Sequence, residues 1–189
     1  MIVVDSDFSA LEGTNCYCSE ESAAQIRQAI SGLPLCAVHR IGTGDYHYVS
    51  LFWLERITEP FTLVLFDNHP DDQEDAFGAG LLSCGGWVKT ARERLPMLKE
   101  VLWNCTDAGN DLPVFLSIDI DVLAAEHART DWNQGGMSLD ELRSAVAGLK
   151  ASCHIIGTDI CGGITAGKGG SEADFLINRN TKLALMELL

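Results

Sequence analysis

Two short runs carry most of the chemistry this sequence could do. Asp67-Asn68-His69-Pro70-Asp71 follows the apolar stretch Leu63-Val64-Leu65-Phe66, and Asp119-Ile120-Asp121 follows Val114-Phe115-Leu116-Ser117-Ile118. In an extended backbone residues i, i+2 and i+4 project to one side. Asp67, His69 and Asp71 are therefore expected to converge, and Asp119 and Asp121 to form a second pair. Pro70 biases His69 towards extended φ/ψ and marks the end of a strand. Composition alone also permits an acidic turn at Asp67–Asp71. The second run shifts the balance, because carboxylates closing an apolar strand must be solvated, paired or metal-bound: burying them bare costs many kcal/mol. Four carboxylates with an imidazole suit Mn²⁺, Fe²⁺ or Zn²⁺, and their charge matches two divalent ions. A third run, Gly42-Thr43-Gly44-Asp45-Tyr46-His47, brings His47 as a further ligand candidate. Its competing readings are a satisfied helix-start histidine and a dinucleotide loop. The loop lacks a third glycine, and Asp45 would meet a pyrophosphate with like charge.

These runs need elements to position them. Short apolar stretches recur at Ile2 to Asp5, Leu35 to Ile41, Thr62 to Asp67, Val101 to Asn104, Pro113 to Asp119 and His154 to Ile160. Several are continuous rather than alternating, as strands buried on both faces are. Between them fall helical patterns: one after the N-cap candidate Ser19, one over about 46–57, one from Gly85-Gly86 through about Arg94, and one opened by the Ser138–Glu141 capping box and running to about Lys150. A last helix is expected from near Asn178, apolar at Leu183, Met186 and Leu189. Strands alternating with helices imply an α/β fold, a three-layer α/β/α sandwich with a mostly parallel sheet and sites at the C-terminal strand ends.

The chain has 189 residues, with 13 Lys+Arg against 27 Asp+Glu for a net charge of −14. One domain over 1–189 is expected. With 47% hydrophobic residues it can bury a core, so disorder is excluded. Nucleic acid and anionic membrane are poor partners for such a surface, and cations are good ones. Without a basic, apolar leader or a membrane-length apolar run, a cytoplasmic protein is expected. The seven cysteines read as reduced thiols. His39 and His154 read as core histidines, and the four tryptophans as packing. Asp5 and Asp7, at the end of the first strand, read as a plain turn, with a role near the active edge as the alternative. Gly162 to Lys168 fits G-x-x-x-x-G-K, but Gly169 stands where Ser or Thr would ligate Mg²⁺, so a loop is favoured and a nucleotide-binding module is the alternative.

The motifs together resemble those of the ureohydrolase superfamily, which includes arginase, agmatinase and formiminoglutamase. Gly42 to Ser50 is similar to its G-G-D-H-S segment, Asp67 to Asp71 to D-A-H-x-D, Ser117 to Asp121 to S-x-D-x-D, and Gly135-Gly136-Met137-Ser138 to G-G-L-[ST]. The segments Asn15 to Cys18 and Leu82 to Trp87 look like those of small uncharacterised arginase-like proteins. The resemblance implies a compact arginase/deacetylase-like fold and a binuclear manganese centre, with zinc or iron as alternatives. Asp67 and Asp119 would contact both ions, His47 and Asp71 one, His69 and Asp121 the other. It implies hydrolysis of a C–N bond in a small guanidino, formimino or amide compound. The substrate would be a small molecule, and a homo-oligomer is compatible with the sequence.

The chain departs from the family pattern in several places. His47 stands two residues after Asp45 rather than one, and Ala124-Ala125 replaces Asp-Pro. No histidine falls between His69 and His127, where the family places a proton shuttle, and Cys84 occupies that neighbourhood. Gly162 aligns with the glutamate that holds a guanidinium, leaving Glu172 as a substitute. Cys84 and Glu172 are thus the substrate-binding candidates, no catalytic residue is assigned, and a non-catalytic metal- or small-molecule-binding relative is the alternative.

Overall fold

The computed structural model describes residues 2–74, 80–109 and 111–189. In chain order the elements are β1 (Val3–Asp5), β2 (Tyr17–Cys18), α1 (Glu20–Ile30), β3 (Val38–Arg40), α2 (Val49–Leu54), β4 (Phe61–Phe66), β5 (Leu82–Ser83), α3 (Trp87–Arg94), β6 (Leu98–Trp103), β7 (Val114–Asp119), α4 (Leu139–Ser152), β8 (Ile155–Cys161) and α5 (Glu172–Met186). Six strands form one sheet in the order β1-β3-β8-β7-β4-β6, and every adjacent pair is parallel.

The centre of that sheet explains the continuous apolar runs. Every residue of β4 and β7 is buried, as a parallel strand covered on both faces requires. Leu63 and Leu65 point into one core with Ile26, Phe52, Trp53 and Trp87, which come from α1, α2 and α3. Val64 and Phe66, on the opposite face, meet Leu142, Val146 and Leu149 of α4. Helices therefore cover both faces, giving the α/β/α layering expected. The Ser138 capping box opens α4 as read, its hydroxyl accepting from the Glu141 N–H while the Glu141 carboxylate accepts from the Ser138 N–H. Among the described residues no helix is long and apolar enough to cross a membrane.

Several boundaries differ from the sequence reading. The last helix starts at Glu172 rather than Asn178, because Ser171 caps it and Asp174 completes the box where Glu or Gln usually signals one. That helix buries Asn178, Thr181 and Leu185; of the anticipated apolar positions Met186 and Leu189 pack against the core, whereas Leu183 is 44% exposed. Residues 44–46 form a 3₁₀ turn and α2 is confined to Val49–Leu54, shorter than the 46–57 span. The sixth strand begins at Leu98, three residues before the expected Val101. His39 is a core histidine, stacked 3.6 Å from Trp53, but His154 precedes β8 and is exposed. The two-residue ladder Tyr17↔Ser83 and Cys18↔Leu82 was not foreseen: strands this short carry no periodicity to read.

Truncating the central core tests this layering. Leu116→Ala, at a fully buried position, is expected to lower stability by about 2–5 kcal/mol, seen as a reduced urea midpoint at unchanged m-value. Ser138→Ala should cost ~1 kcal/mol through loss of the cap.

Candidate metal centre

The C-terminal edge of the sheet gathers all six ligand-type residues. His47 follows the 3₁₀ turn after β3, Asp67, His69 and Asp71 follow β4, Asp119 ends β7, and Asp121 lies in the 3₁₀ turn Ile120–Val122. Their convergence does not come from extended backbone. In both runs the chain folds back on the first carboxylate: the His69 N–H donates to Asp67 Oδ1 at 2.6 Å, and the Asp121 N–H donates to Asp119 Oδ1 at 2.9 Å. Such turns are what an aspartate at a strand end favours. Asp71 then adopts φ 48°, a left-handed conformation that returns its side chain to the cluster.

The contacts are close. His47 Nδ1 lies 3.0 Å from Asp67 Oδ2, 3.1 Å from Asp71 Oδ2 and 3.8 Å from Asp119 Oδ2. His69 Nδ1 lies 2.9 Å from Asp121 Oδ2 and 3.4 Å from Asp67 Oδ1. Ligand atoms fall into one group of His47, Asp67 and Asp71 and another of Asp67, His69 and Asp121, so Asp67 belongs to both. A third group joins His47, Asp119 and Cys161. Five of the six residues are buried, His69 being the one partly open to the cavity.

This crowding sets the electrostatics. Burial, reinforced by the Asp67 charge, pushes Asp119 up to about 6. Asp121 is raised by burial and by Asp119, and Asp71 by burial, even though His47 and Trp87 hydrogen-bond to its carboxylate. Burial opposes ionisation of Asp67 as well, but hydrogen bonds from His47 and His69 outweigh it and hold Asp67 down at about 2. The cluster thus retains protons that a bound cation would displace.

Supporting residues fix these positions. Asn104, itself left-handed at φ 51°, accepts from the Asp67 N–H at 3.1 Å and donates Nδ2 to the Asp67 carbonyl at 2.9 Å. Trp103 Nε1 donates to the same carbonyl, Trp87 Nε1 to Asp71 Oδ2 at 2.7 Å, and Trp132 Nε1 to Asp45 Oδ1 at 3.0 Å. Sequence reasoning assigned these indoles to packing; Trp87 does pack in the core but also, like Trp103, hydrogen-bonds a ligand-type residue, and only the strand-end placement of Trp103-Asn104 could have signalled it. Behind His47, Ser117 Oγ donates to Asp159 Oδ1 at 2.6 Å and stands 2.9 Å from His47 Nε2. Because the serine proton goes to Asp159, its oxygen accepts Nε2–H; Nδ1 then faces the carboxylates, donating to Asp67 and Asp71 in the metal-free protein and free to offer its lone pair once a cation displaces that proton. Gly135 packs so tightly on the Asp121–Val122 turn that a Cβ would meet the Val122 carbonyl at 2.3 Å, which accounts for a glycine there.

A cavity of about 220 Å³ opens above the six residues, lined also by Cys16, Tyr17, Cys84 and Trp132. Cys84 therefore stands on its wall, the thiol pushed up by burial. Glu172 does not: it is the first residue of α5, exposed and outside the cavity. Gly162 has φ +94°, and a Cβ there would lie 2.1 Å from Asp119 Oδ1, so this backbone accommodates no glutamate. Asp45 is turned away towards Trp132 and Lys168, and Asp5 pairs with Arg40 at the surface.

No family model matches the chain. An uncharacterized protein of Thermotoga maritima is 33% identical in an alignment of 141 positions that covers 65% of this chain and 56% of that protein, so the chain spans little more than half the length of that relative. Among solved structures, a hypothetical agmatinase from Burkholderia thailandensis superposes with a TM-score of 0.64 at 19% identity, over 92% of this chain and 67% of that one. Formimidoylglutamase from Bacillus subtilis gives 0.64 at 17% identity, over 89% and 66%. Arginase from Bacillus caldovelox gives 0.65 at 11% identity, over 93% and 78%. The chain has the arginase fold. Within the arginase fold the six residues occupy the C-terminal strand edge, where open α/β sheets carry their sites.

The cluster makes a pH prediction for the metal-free arginase fold. Asp119 and Asp121 have folded-state pKa values above the ordinary carboxylate value, so the native state holds protons that the unfolded chain releases, and stability falls as pH rises from about 4, through about 6 for Asp119 and on towards about 10 for Asp121. His47, raised by Asp67 and Asp71 against the opposing effect of burial, adds a further loss above its unfolded value. Thermal melts of chelator-treated protein should show the midpoint falling across this range, and saturating Mn²⁺ should remove the slope.

Proposed function

We propose that this chain is a metal-dependent hydrolase of the ureohydrolase superfamily that cleaves a C–N bond in a small molecule. The observation that carries the reading is the pair of ligand groups sharing Asp67, on the arginase fold. In it Asp67 and Asp119 would contact both ions, His47 and Asp71 would help to hold one, and His69 and Asp121 the other. The charge of two divalent ions balances four buried carboxylates, and an oxygen-rich donor set with two imidazoles suits manganese, with zinc and iron also fitting. When bound, such a pair supplies Lewis acidity and acidifies water towards neutral pH.

The chain's own residues do the rest. The Asp159–Ser117–His47 series keeps the imidazole in its Nδ1-binding tautomer, and Trp87 anchors Asp71. Trp132 edges against His69 at the open side of a cavity that admits only a small substrate. With Gly162 leaving no carboxylate where the family holds a guanidinium, the substrate is a small guanidino, formimino or amide compound other than arginine. The whole of 1–189 acts as one domain in this reading, without nucleic acid or membrane as partner. The seven unpaired cysteines fit a cytoplasmic setting.

Metal analysis tests the reading first. After loading, two manganese ions per chain are expected, close to none in Asp67→Asn, and one in Asp71→Asn. Ser117→Ala should weaken metal binding by about 10–100-fold without abolishing it. Fewer than one ion per chain, unaffected by Asp119→Ala, would overturn the proposal. A screen for ammonia, urea or formamide release then identifies the substrate class. Two bound ions with no turnover of any of these compounds would assign the chain instead to non-catalytic binding, which Gly162 and the missing histidine favour.

A further inference from the structure

A second cavity, of about 390 Å³, lies behind the first, across the turn that carries Gly44 to His47. The two share no lining residue but interleave along one stretch of chain: Thr43, Asp45 and Tyr46 face the second cavity, Gly44 and His47 the first. One wall is a single face of α5, where Phe175, Asn178, Arg179 and Lys182 recur at i, i+3, i+4 and i+7. The opposite wall is the loop from Gly162 to Lys168 that follows β8.

The charge on these walls is unusual for this chain. Three of the 13 basic residues, Lys168, Arg179 and Lys182, line one cavity of a protein with net charge −14. Lys168 is committed, 3.1 Å from Asp131 and 3.7 Å from Asp45. Lys182 is not: it is half-buried, its ammonium donates once, to the Gly162 carbonyl at 2.7 Å, and no carboxylate of the described residues is within ion-pair distance. An ammonium has three donors, so two remain. Arg179 also lacks an ion pair among the described residues. On the acidic side, Asp45 is held by Trp132 and Lys168, and Asp7 accepts from the Ser9 N–H. Two uncommitted cations against Asp7 leave the cavity positive. Withdrawing an ammonium from water is costly, and burial pulls the Lys182 pKa below the ordinary lysine value although the more distant Asp119 and Asp7 act in the opposite direction.

We propose that this cavity binds a small oxyanion, a carboxylate or phosphate group, held by Lys182 and Arg179 between α5 and the loop after β8. Arg179 offers a bidentate fork and Lys182 a point charge, the two ways such groups are recognised. Asn178 does not take part, since both ends of its amide are bound to the Arg129 backbone. The loop is thus not a Walker loop: its lysine is spent on Asp131 and Asp45 and, of the two uncommitted cations, neither belongs to the motif. The assignment does not depend on metal at the neighbouring cluster.

Calorimetric titration with inorganic phosphate, and separately with acetate, at constant ionic strength tests it. Saturable binding of one anion per chain is expected, with the preferred anion identifying the group. Lys182→Met and Arg179→Ala should each weaken it by roughly ten- to a hundredfold, the loss of a charge-assisted hydrogen bond. The exposed Arg179 keeps the test meaningful if Lys182→Met folds poorly. Asp67→Asn should leave the affinity unchanged, as should Lys99→Ala on the far surface. No saturable binding of either anion overturns the proposal, and so does binding that survives both cavity variants or is lost in Asp67→Asn.

Discussion

Four carboxylates packed against two imidazoles beneath a nearly closed surface repel one another, and much of the surrounding architecture serves to hold them there regardless. Each has at least one fixed donor or a tightly set backbone. Asp71 is tied to Trp87, Asp121 to the Asn68 N–H, Asp119 to the Asp121 N–H, and Asp67 to His47, His69 and the Asn104 clamp. The left-handed conformations at Asp71 and Asn104 belong to the same accommodation: backbone strain of about 1–3 kcal/mol per residue persists only where the surroundings over-determine it. A structure organised only for stability would fill this edge with apolar side chains.

The parallel sheet makes the arrangement achievable. Phe66 pairs with Ile118, so the next residues along β4 and β7, Asp67 and Asp119, emerge side by side at one edge. Ser117 pairs with Asp159 across β7 and β8, which places the hydroxyl and carboxylate behind His47 in contact without any loop having to deliver them. The register of three buried strands thus fixes both the donor set and the support for one of its imidazoles. Because those strands are buried on both faces, a slip would expose core residues as well as dismantle the site.

How much of this could be read from the sequence depended on the kind of signal. The continuous apolar stretches at 62–67 and 113–119 announced a parallel, doubly covered sheet, and the ligand-type residues at their ends announced its active edge. The manner of convergence was misread: alternation of an extended chain gives the same spacing as two aspartate-closed turns, and only coordinates distinguish them. Of the indole donors only Trp103, at a strand end beside Asn104, left a trace, because a tryptophan hydrogen bond has no sequence pattern of its own. Glu172 looked like a replacement for the residue missing at Gly162, yet its position opening α5 turns it to solvent, a consequence of the Ser171 cap that the glycine-rich stretch before it concealed.

The pairing of β2 with β5 joins residues 17–18 to 82–83 through two residue pairs, and these short segments carry Cys16, Tyr17, Ser83 and Cys84 over the cluster. The central strands are longer and sealed on both faces. The small ladder is nevertheless anchored, since Cys18 and Leu82 are buried in the same core as α1, α2 and α3. The roof of the site thus rests on two residue pairs drawn from segments far apart in the chain, whereas its floor rests on strands sealed within the sheet.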